Sequence, residues 1–138
     1  MAEAAVSFKN ITKTFGEVVA NRDVTFDVKK GEILALLGEN GSGKTTLMNM
    51  LSGIYYPDHG SIEVNGEEVT IRSPKDAFAL GIGMVHQHFK LVDVFTAVEN
   101  TVLGLTRKQE KYSLKAAARR MKDICDKYGF EIEPKKKI

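Results

Sequence analysis

Apolar residues alternate with polar ones in two segments near the start of the chain. Val6 and Phe8 are two positions apart, and Val24, Phe26 and Val28 follow the same spacing. Side chains point to opposite faces in turn along a β-strand, so a period of two is typical of a strand with one buried face. Half-buried strands occur mainly in antiparallel sheets. These segments therefore predict two antiparallel strands.

Two further segments are continuously apolar rather than alternating. Residues 31–37 read Gly-Glu-Ile-Leu-Ala-Leu-Leu, and residues 82–86 read Ile-Gly-Met-Val-His. Short apolar runs bounded by turn residues are typical of strands buried on both faces, as in a parallel sheet. We therefore expect both runs to be buried core strands.

The remaining pattern predicts one hairpin and several helices. Asn65-Gly66 is a two-residue turn between alternating residues 61–64 and 67–69, which indicates a hairpin. Helix signals are a cap residue at the start and a glycine at the end. The predicted helices are 46–51 before Gly53, 73–80 with Ser73-Pro74 at its start and Gly81 at its end, 96–103 with a Thr96–Glu99 capping box and Gly104 at its end, and 113–128.

A glycine-rich loop lies between the first apolar run and the helix at 46–51. Its residues are Gly38-Glu39-Asn40-Gly41-Ser42-Gly43-Lys44-Thr45, which fit G-x-x-x-x-G-K-[ST]. Glycines allow backbone N–H groups to curl around an anion, and the start of the following helix attracts negative charge. Lys44 would reach the β- and γ-phosphates, and the Thr45 hydroxyl would bind Mg²⁺.

The alternative is a glycine turn that precedes a lysine by accident. The flanking order of strand, loop and helix is the context that the phosphate-binding pattern requires, and it favours the functional interpretation. The sequence therefore predicts a site for a nucleoside triphosphate and Mg²⁺. The predicted contacts are Gly38, Asn40, Gly41, Ser42, Gly43, Lys44, Thr45 and Thr46.

Composition restricts the number of domains, the kind of partner and the expected location of the protein. The chain of 138 residues is one domain at most, and a net charge of +2 is too small to indicate a nucleic-acid partner. Residues 105–138 have a net charge of +6, whose default interpretation is a solvated surface. A single cysteine, no apolar run of membrane-spanning length and no signal-peptide pattern lead us to expect a soluble, intracellular protein.

Three segments give the chain a specific resemblance to a known family. They are the glycine loop with its helix at 38–48, Arg-Ser-Pro-Lys-Asp-Ala at 72–77, and Gly-Ile-Gly-Met-Val-His-Gln-His-Phe at 81–89. The chain resembles the N-terminal half of an ABC-transporter ATP-binding subunit, in the branch of simple-sugar and nucleoside importers. The resemblance implies an α/β P-loop NTPase fold, with part of a RecA-like core, an antiparallel β-subdomain and the start of a helical subdomain. We place the core at 1–87 and the helical subdomain at 88–138.

The resemblance also gives roles to two residues outside the loop. Phe15 occupies the position of the aromatic residue that stacks on adenine, although its residue type alone favours a place in the core. Gln87 occupies the position of the Q-loop glutamine, whose amide oxygen would bind Mg²⁺ or hold the attacking water. Lys44 and Gln87 are thus the predicted catalytic residues, and Thr45 and Gln87 the predicted metal ligands.

Other reactive side chains have simpler interpretations. His86 and His88 flank Gln87 with no carboxylate or cysteine at ligand spacing, so we interpret them as loop residues. His59 lies in a turn and is expected to be exposed. Cys125 is on the apolar side of its helix and is interpreted as packing, like Met48 and Met50.

Two motifs of the family are not found after Gln87. A Walker B run would be four apolar residues followed by Asp and Glu, and residues 91–94, Leu-Val-Asp-Val, do not fit it. The LSGGQ-like signature is also not found, so we expect a fragment that binds ATP without hydrolysing it alone.

In the intact protein the resemblance implies an ATPase that energises import of a simple sugar or nucleoside. Its implied partners are membrane-spanning permease subunits and a second ATP-binding domain, which would hold it at the inner face of the membrane. The alternatives are a stand-alone nucleotide-binding or regulatory module without hydrolysis, and a P-loop kinase. A kinase would need an acceptor site and a lid, and neither is visible in the sequence.

Overall fold

The computed structural model describes residues 3–87, 91–103 and 113–138. The chain divides into two compact units, Met1–Met84 and Val85–Ile138. The first unit contains strands β1 (Ala4–Phe15), β2 (Val18–Lys29), β3 (His59–Val64) and β4 (Glu67–Val69) with helices α1 (Lys44–Leu51) and α2 (Pro74–Ala79). The second unit contains helices α3 (Ala97–Val102) and α4 (Leu114–Tyr128).

The four strands form one antiparallel sheet in the order β2-β1-β3-β4. Phe8 of β1 lies opposite Phe26 of β2, and their rings stack with centroids 4.7 Å apart. The turn between β3 and β4 is Asn65-Gly66, with positive φ at both residues, as a two-residue hairpin requires. The two predicted antiparallel strands and the predicted hairpin are therefore confirmed.

The core of the first unit lies between this sheet and the helices. Leu47 and Met50 face inward from α1, and Met50 is fully buried. Leucine and methionine at this spacing lie on one face of a helix, so the short helix covers the sheet with its apolar side. The buried cluster consists of Phe8, Ile11, Leu47, Met50, Ile62, Val64, Ile71 and Ala77. The helix that follows the glycine loop is thus anchored by the core.

The two apolar runs do not form the strands that the sequence predicts. Residues 32–39 form neither helix nor strand, and Ile33 and Leu37 are 99% and 89% exposed. Residues 82–86 are also without strand pairing, and Val85 is 85% exposed. A buried parallel strand needs hydrogen-bonded neighbours on both sides, and no described segment pairs with either run. The expectation of buried strands here is wrong for this structure.

The predicted helix starts are confirmed by their caps. Ser73 and Ser113 accept hydrogen bonds from the third residues of α2 and α4, and Thr96 forms a reciprocal capping box with Glu99. Helix α3 ends at Val102, and the predicted stop at Gly104 lies outside the described residues. None of the helices in the described ranges is long and apolar enough to cross a membrane.

Helix α4 is covered along only part of its predicted apolar face. Cys125 is buried, as expected for a packing residue. Leu114, Ile124 and Tyr128 on the same face are 49%, 46% and 60% exposed. Helical periodicity therefore identified the face, but the described residues leave much of it open.

Candidate functional site

The glycine loop turns sharply into α1. Gly41 and Gly43 have φ of 86° and 85°, in the left-handed region that favours glycine. Ser42 donates its backbone N–H to the carbonyl of Glu39 at 3.2 Å, which closes the turn. Gly43 is the N-cap of α1 and supplies no side-chain acceptor, so the first amide groups of the helix are left to another acceptor. Such an N-terminus attracts anions.

Gly43 also lies directly against β2. A Cβ atom built there would be 2.2 Å from the Ala20 carbonyl oxygen and 2.7 Å from Asn21 Nδ2. At Gly41, by contrast, nothing lies within 4 Å of such an atom. Gly43 therefore meets two requirements that only glycine satisfies, a positive φ and close packing on a backbone carbonyl. This contact fixes the loop to the sheet.

The Lys44 side chain bends back over the loop that precedes it. Its ammonium donates hydrogen bonds to the carbonyl oxygens of Gly38 and Glu39 at 2.8 and 2.7 Å, and to Ser42 Oγ at 3.2 Å. The three N–H groups of the ammonium thus all donate to oxygens of the loop. The arrangement places one cation at the position where the loop and the start of α1 meet.

The other predicted loop residues are close to Lys44 in the chain. Thr45 and Thr46 are in the first turn of α1, with Thr45 exposed and Thr46 half-buried, and Asn40 is in the exposed turn. The structure therefore brings the eight loop residues together. Gln87 is exposed and belongs to the second compact unit, so its role toward a metal ion stays a prediction. In the described ranges, no cluster of three or more His, Cys, Asp or Glu side chains forms a metal site.

Phe15 is at the last position of β1 and is 42% exposed. The rings of Phe15 and Tyr55 pack in a T-shaped arrangement, with centroids 5.1 Å apart and an interplanar angle of 69°. Lys13 Nζ lies 5.4 Å from the centroid of the Phe15 ring. The residue is therefore outside the buried core, with ring surface left for a further contact.

Asn21 is a residue of the site that the sequence analysis missed. Its Nδ2 donates a hydrogen bond to the Gly43 carbonyl oxygen at 3.3 Å, and the residue is 7% exposed. Its Oδ1 is buried and has no hydrogen-bond partner among the described residues. A polar side chain on the buried side of β2 was a possible signal, but bulges in the strand pair disturb the alternation that would have revealed it.

Asn21→Leu tests what this unpartnered oxygen costs. Leucine has the same branching at Cγ, and the Gly43 carbonyl still accepts the Leu47 N–H at 3.0 Å. Because an unsatisfied buried acceptor costs about 1–3 kcal/mol, we expect the free energy of unfolding to rise by about 1 kcal/mol in urea titrations. Asn21→Asp is the control and should lower it, since it places a second acceptor, with a charge, against the Gly43 carbonyl. A loss of stability in Asn21→Leu would contradict the prediction.

Comparison with known proteins identifies the family of this chain. The family model described as ABC transporter matches residues 21–138, a range that includes the glycine loop, Lys44 and Gln87. The chain belongs to the ABC transporter family. The resemblance stated from the sequence motifs is therefore confirmed.

Two curated relatives and one solved structure indicate the branch and the fold. The guanosine import ATP-binding protein NupO of Bacillus subtilis is 52% identical over 98% of this chain and 27% of its own length. The nucleoside import ATP-binding protein NupA of Lactococcus lactis is 49% identical over 96% of this chain and 26% of its own length. A dimeric ATP-binding cassette in a post-hydrolysis state with ADP and Pi is 26% identical, with a TM-score of 0.75 over 96% of this chain and 61% of that one.

These comparisons confirm the α/β P-loop NTPase fold class, because the solved ATP-binding cassette superposes on nearly the whole chain. The chain spans only about a quarter of the length of the curated relatives that it matches.

Proposed function

We propose that this chain is the ATP-binding portion of an ABC transporter ATPase that energises import of a nucleoside or simple sugar. The observation that carries the proposal is that the Lys44 ammonium lies against the glycine loop, beside the start of α1, which has no side-chain cap. The import role is supported by the two relatives named for guanosine and nucleoside import. ATP and Mg²⁺ are the ligands that this family generally binds.

Each site residue has a distinct part in holding Mg-ATP. Lys44 would exchange the carbonyl oxygens of Gly38 and Glu39 for β- and γ-phosphate oxygens, which are charged and bind an ammonium more strongly. The amide groups of the first turn of α1 would donate to the same phosphates. The Thr45 hydroxyl would bind the metal ion. The family resemblance gives the Gln87 amide oxygen a role as a metal ligand or as the group that holds the attacking water.

The chain has two proposed parts, and further subunits would complete the transporter. From the family resemblance we assign residues 1–87 to the nucleotide-binding core and residues 88–138 to the start of the helical subdomain, a boundary three residues after the one between the two compact units. In the full-length protein, permease subunits and a second ATP-binding domain would complete the transporter at the inner face of the membrane. The permease and its binding protein, rather than this chain, would select the solute.

The second candidate is a stand-alone nucleotide-binding or regulatory module, which would bind ATP at the same loop and Lys44 without energising import. Uptake measurements in cells separate the two. If the gene is deleted, a transporter subunit predicts loss of uptake of labelled nucleosides or pentoses, with recovery from a plasmid copy. A binding module predicts unchanged uptake of the whole panel.

Phe15→Ala tests the base-stacking part of the proposal. We expect ATP affinity to fall by about 1 kcal/mol in calorimetry, the range for aromatic contacts, and GTP affinity to fall about equally, because stacking uses the face of the base. Affinity for inorganic tripolyphosphate should be unchanged, since it has no base. Phe78→Ala is the matched control, as Phe78 is 62% exposed on α2 and should not affect any of the three ligands. A variant that lost ATP but retained GTP would contradict the stacking role.

A further inference from the structure

The Asp58 carboxylate joins the end of β1 to the segment that follows α1. Its Oδ1 accepts a hydrogen bond from Lys13 Nζ at 2.8 Å, and its Oδ2 accepts from the Thr14 backbone N–H at 2.7 Å and from Thr14 Oγ1 at 2.8 Å. The Asp58 backbone N–H donates to the Thr12 carbonyl at 2.9 Å. The hydrogen bond from Lys13, followed by those from Thr14, lowers the pKa of Asp58 to about 2, so the carboxylate is ionised at neutral pH.

These contacts lie immediately beside Phe15. Thr14 is its chain neighbour, and the bond from the Thr14 N–H to Asp58 fixes the backbone from which the Phe15 ring projects. Lys13, held by Asp58, is the cation that lies 5.4 Å from the Phe15 ring centroid. The carboxylate therefore restrains both the backbone and a ring neighbour of the aromatic residue.

The second neighbour of the ring comes from the same connecting segment. Tyr55 meets the Phe15 ring, and its backbone N–H donates to the Asn49 carbonyl near the end of α1. The two described neighbours of the Phe15 ring are therefore Lys13, which Asp58 holds, and Tyr55, whose backbone is bonded to α1. None of these contacts involves Lys44 or the glycine loop.

We propose that Asp58 is a positioning residue that orients the Phe15 ring for base stacking and so contributes to affinity for the base, separately from the phosphates. The proposal rests on the function proposed above, in which the chain binds ATP with Phe15 against the base. Asp58 touches no ligand itself in this arrangement. Its effect passes through the Thr14 backbone and the Lys13 side chain, because a ring that samples several orientations loses entropy when a base stacks on it.

The test compares two ligands on one set of variants. Mg-ATP and Mg-tripolyphosphate affinities are measured by calorimetry for the parent chain, Asp58→Ala, Asp58→Asn, Phe15→Ala and the double variant Asp58→Ala/Phe15→Ala. We expect both Asp58 variants to weaken ATP binding by about threefold, which is less than the roughly fivefold loss expected for Phe15→Ala. Their affinity for tripolyphosphate should be unchanged. Asp58→Asn retains the shape of the side chain if Asp58→Ala folds poorly.

The double variant distinguishes positioning from a general loss of stability. If Asp58 acts through Phe15, the double variant binds ATP no more weakly than Phe15→Ala alone. Asp76→Ala is the matched control, because Asp76 also accepts hydrogen bonds from a neighbouring backbone N–H and a hydroxyl, at the start of α2. It should lower the unfolding midpoint and leave both affinities unchanged.

Three results would overturn the proposal. The first is that both Asp58 variants bind ATP as tightly as the parent. The second is that they lose as much affinity for tripolyphosphate as for ATP. The third is that the double variant loses the sum of the ATP affinities that the two single variants lose. Each differs from failure of the proposed function, in which the parent chain itself would bind neither ligand or Lys44→Ala would bind both as well as the parent.

Discussion

Lys44→Ala should weaken binding of both ATP and tripolyphosphate by about 100-fold. Lys44 Nζ lies 2.7–3.2 Å from three oxygen atoms of the loop, so its positive charge is held at the place where we expect the phosphates to bind. Hydrogen bonds to charged groups contribute about 1.5–3 kcal/mol each, so losing two to phosphate oxygens at the lower end of this range, about 3 kcal/mol, corresponds to about 100-fold. Calorimetric titration with each ligand measures it.

The control is Lys75→Ala, which removes the same charge from an exposed position on α2. We expect it to change either affinity by less than twofold, because an exposed charge outside the site is largely screened. If Lys44→Ala bound tripolyphosphate as tightly as the parent, the loop would not be the phosphate site, and the proposed function would lose the observation that carries it.

Gly43→Ala should destabilise the first unit by about 3 kcal/mol or more. Alanine there adds the cost of a left-handed conformation, about 1–2 kcal/mol, to a Cβ placed 2.2 Å from the Ala20 carbonyl oxygen. Backbone atoms cannot move aside as a flexible side chain can, so β2 or the loop must shift, at a cost typical of overpacking. Urea unfolding gives the free energy, and the same protein should show weakened ATP binding.

Gly41→Ala provides a closely matched comparison. Its φ of 86° differs by one degree from that of Gly43, but open space surrounds its would-be Cβ. We expect only the conformational cost of about 1–2 kcal/mol. Equal losses of stability in the two variants would mean that the contact between Gly43 and β2 does not hold the loop.

Features with a local cause could be predicted from the sequence. The Asn65-Gly66 turn forms because both residues accept positive φ, and the helix starts at Ser73, Thr96 and Ser113 form because each side chain caps an amide three residues away. The same holds for the glycine loop, whose function depends on backbone freedom and on a lysine at fixed spacing. In each case the interacting groups are close in sequence.

The residues predicted to contact phosphate lie close together for the same reason. All eight fall within residues 38–46, so a single turn and the start of α1 bring them together. The sequence pattern could not predict that Phe15 lies outside the core, because a phenylalanine at the end of a strand can face either side of the sheet. Tertiary packing decides this. Its orientation depends on Asp58 and Tyr55, which are about 40 residues away in the chain.

The apolar runs at 32–37 and 82–86 show where sequence reasoning fails. Periodicity measures whether a segment is suited to burial, but a strand exists only when distant segments supply its hydrogen-bonding partners. The described residues supply none to these runs, and most of their side chains are exposed, although Ile82 packs against the core.

The sequence by itself determined the hairpin, the capped helices and the glycine loop that we propose binds phosphate, since each depends on neighbours within a few residues. Only the tertiary structure decided which runs become strands and that the bulges near Asn10 and Asp23 leave Asn21 facing Gly43. It also decided that Asp58 holds the end of β1, through contacts with Lys13 and Thr14. These features depend on pairs of groups far apart in the chain, which local pattern and propensity do not specify.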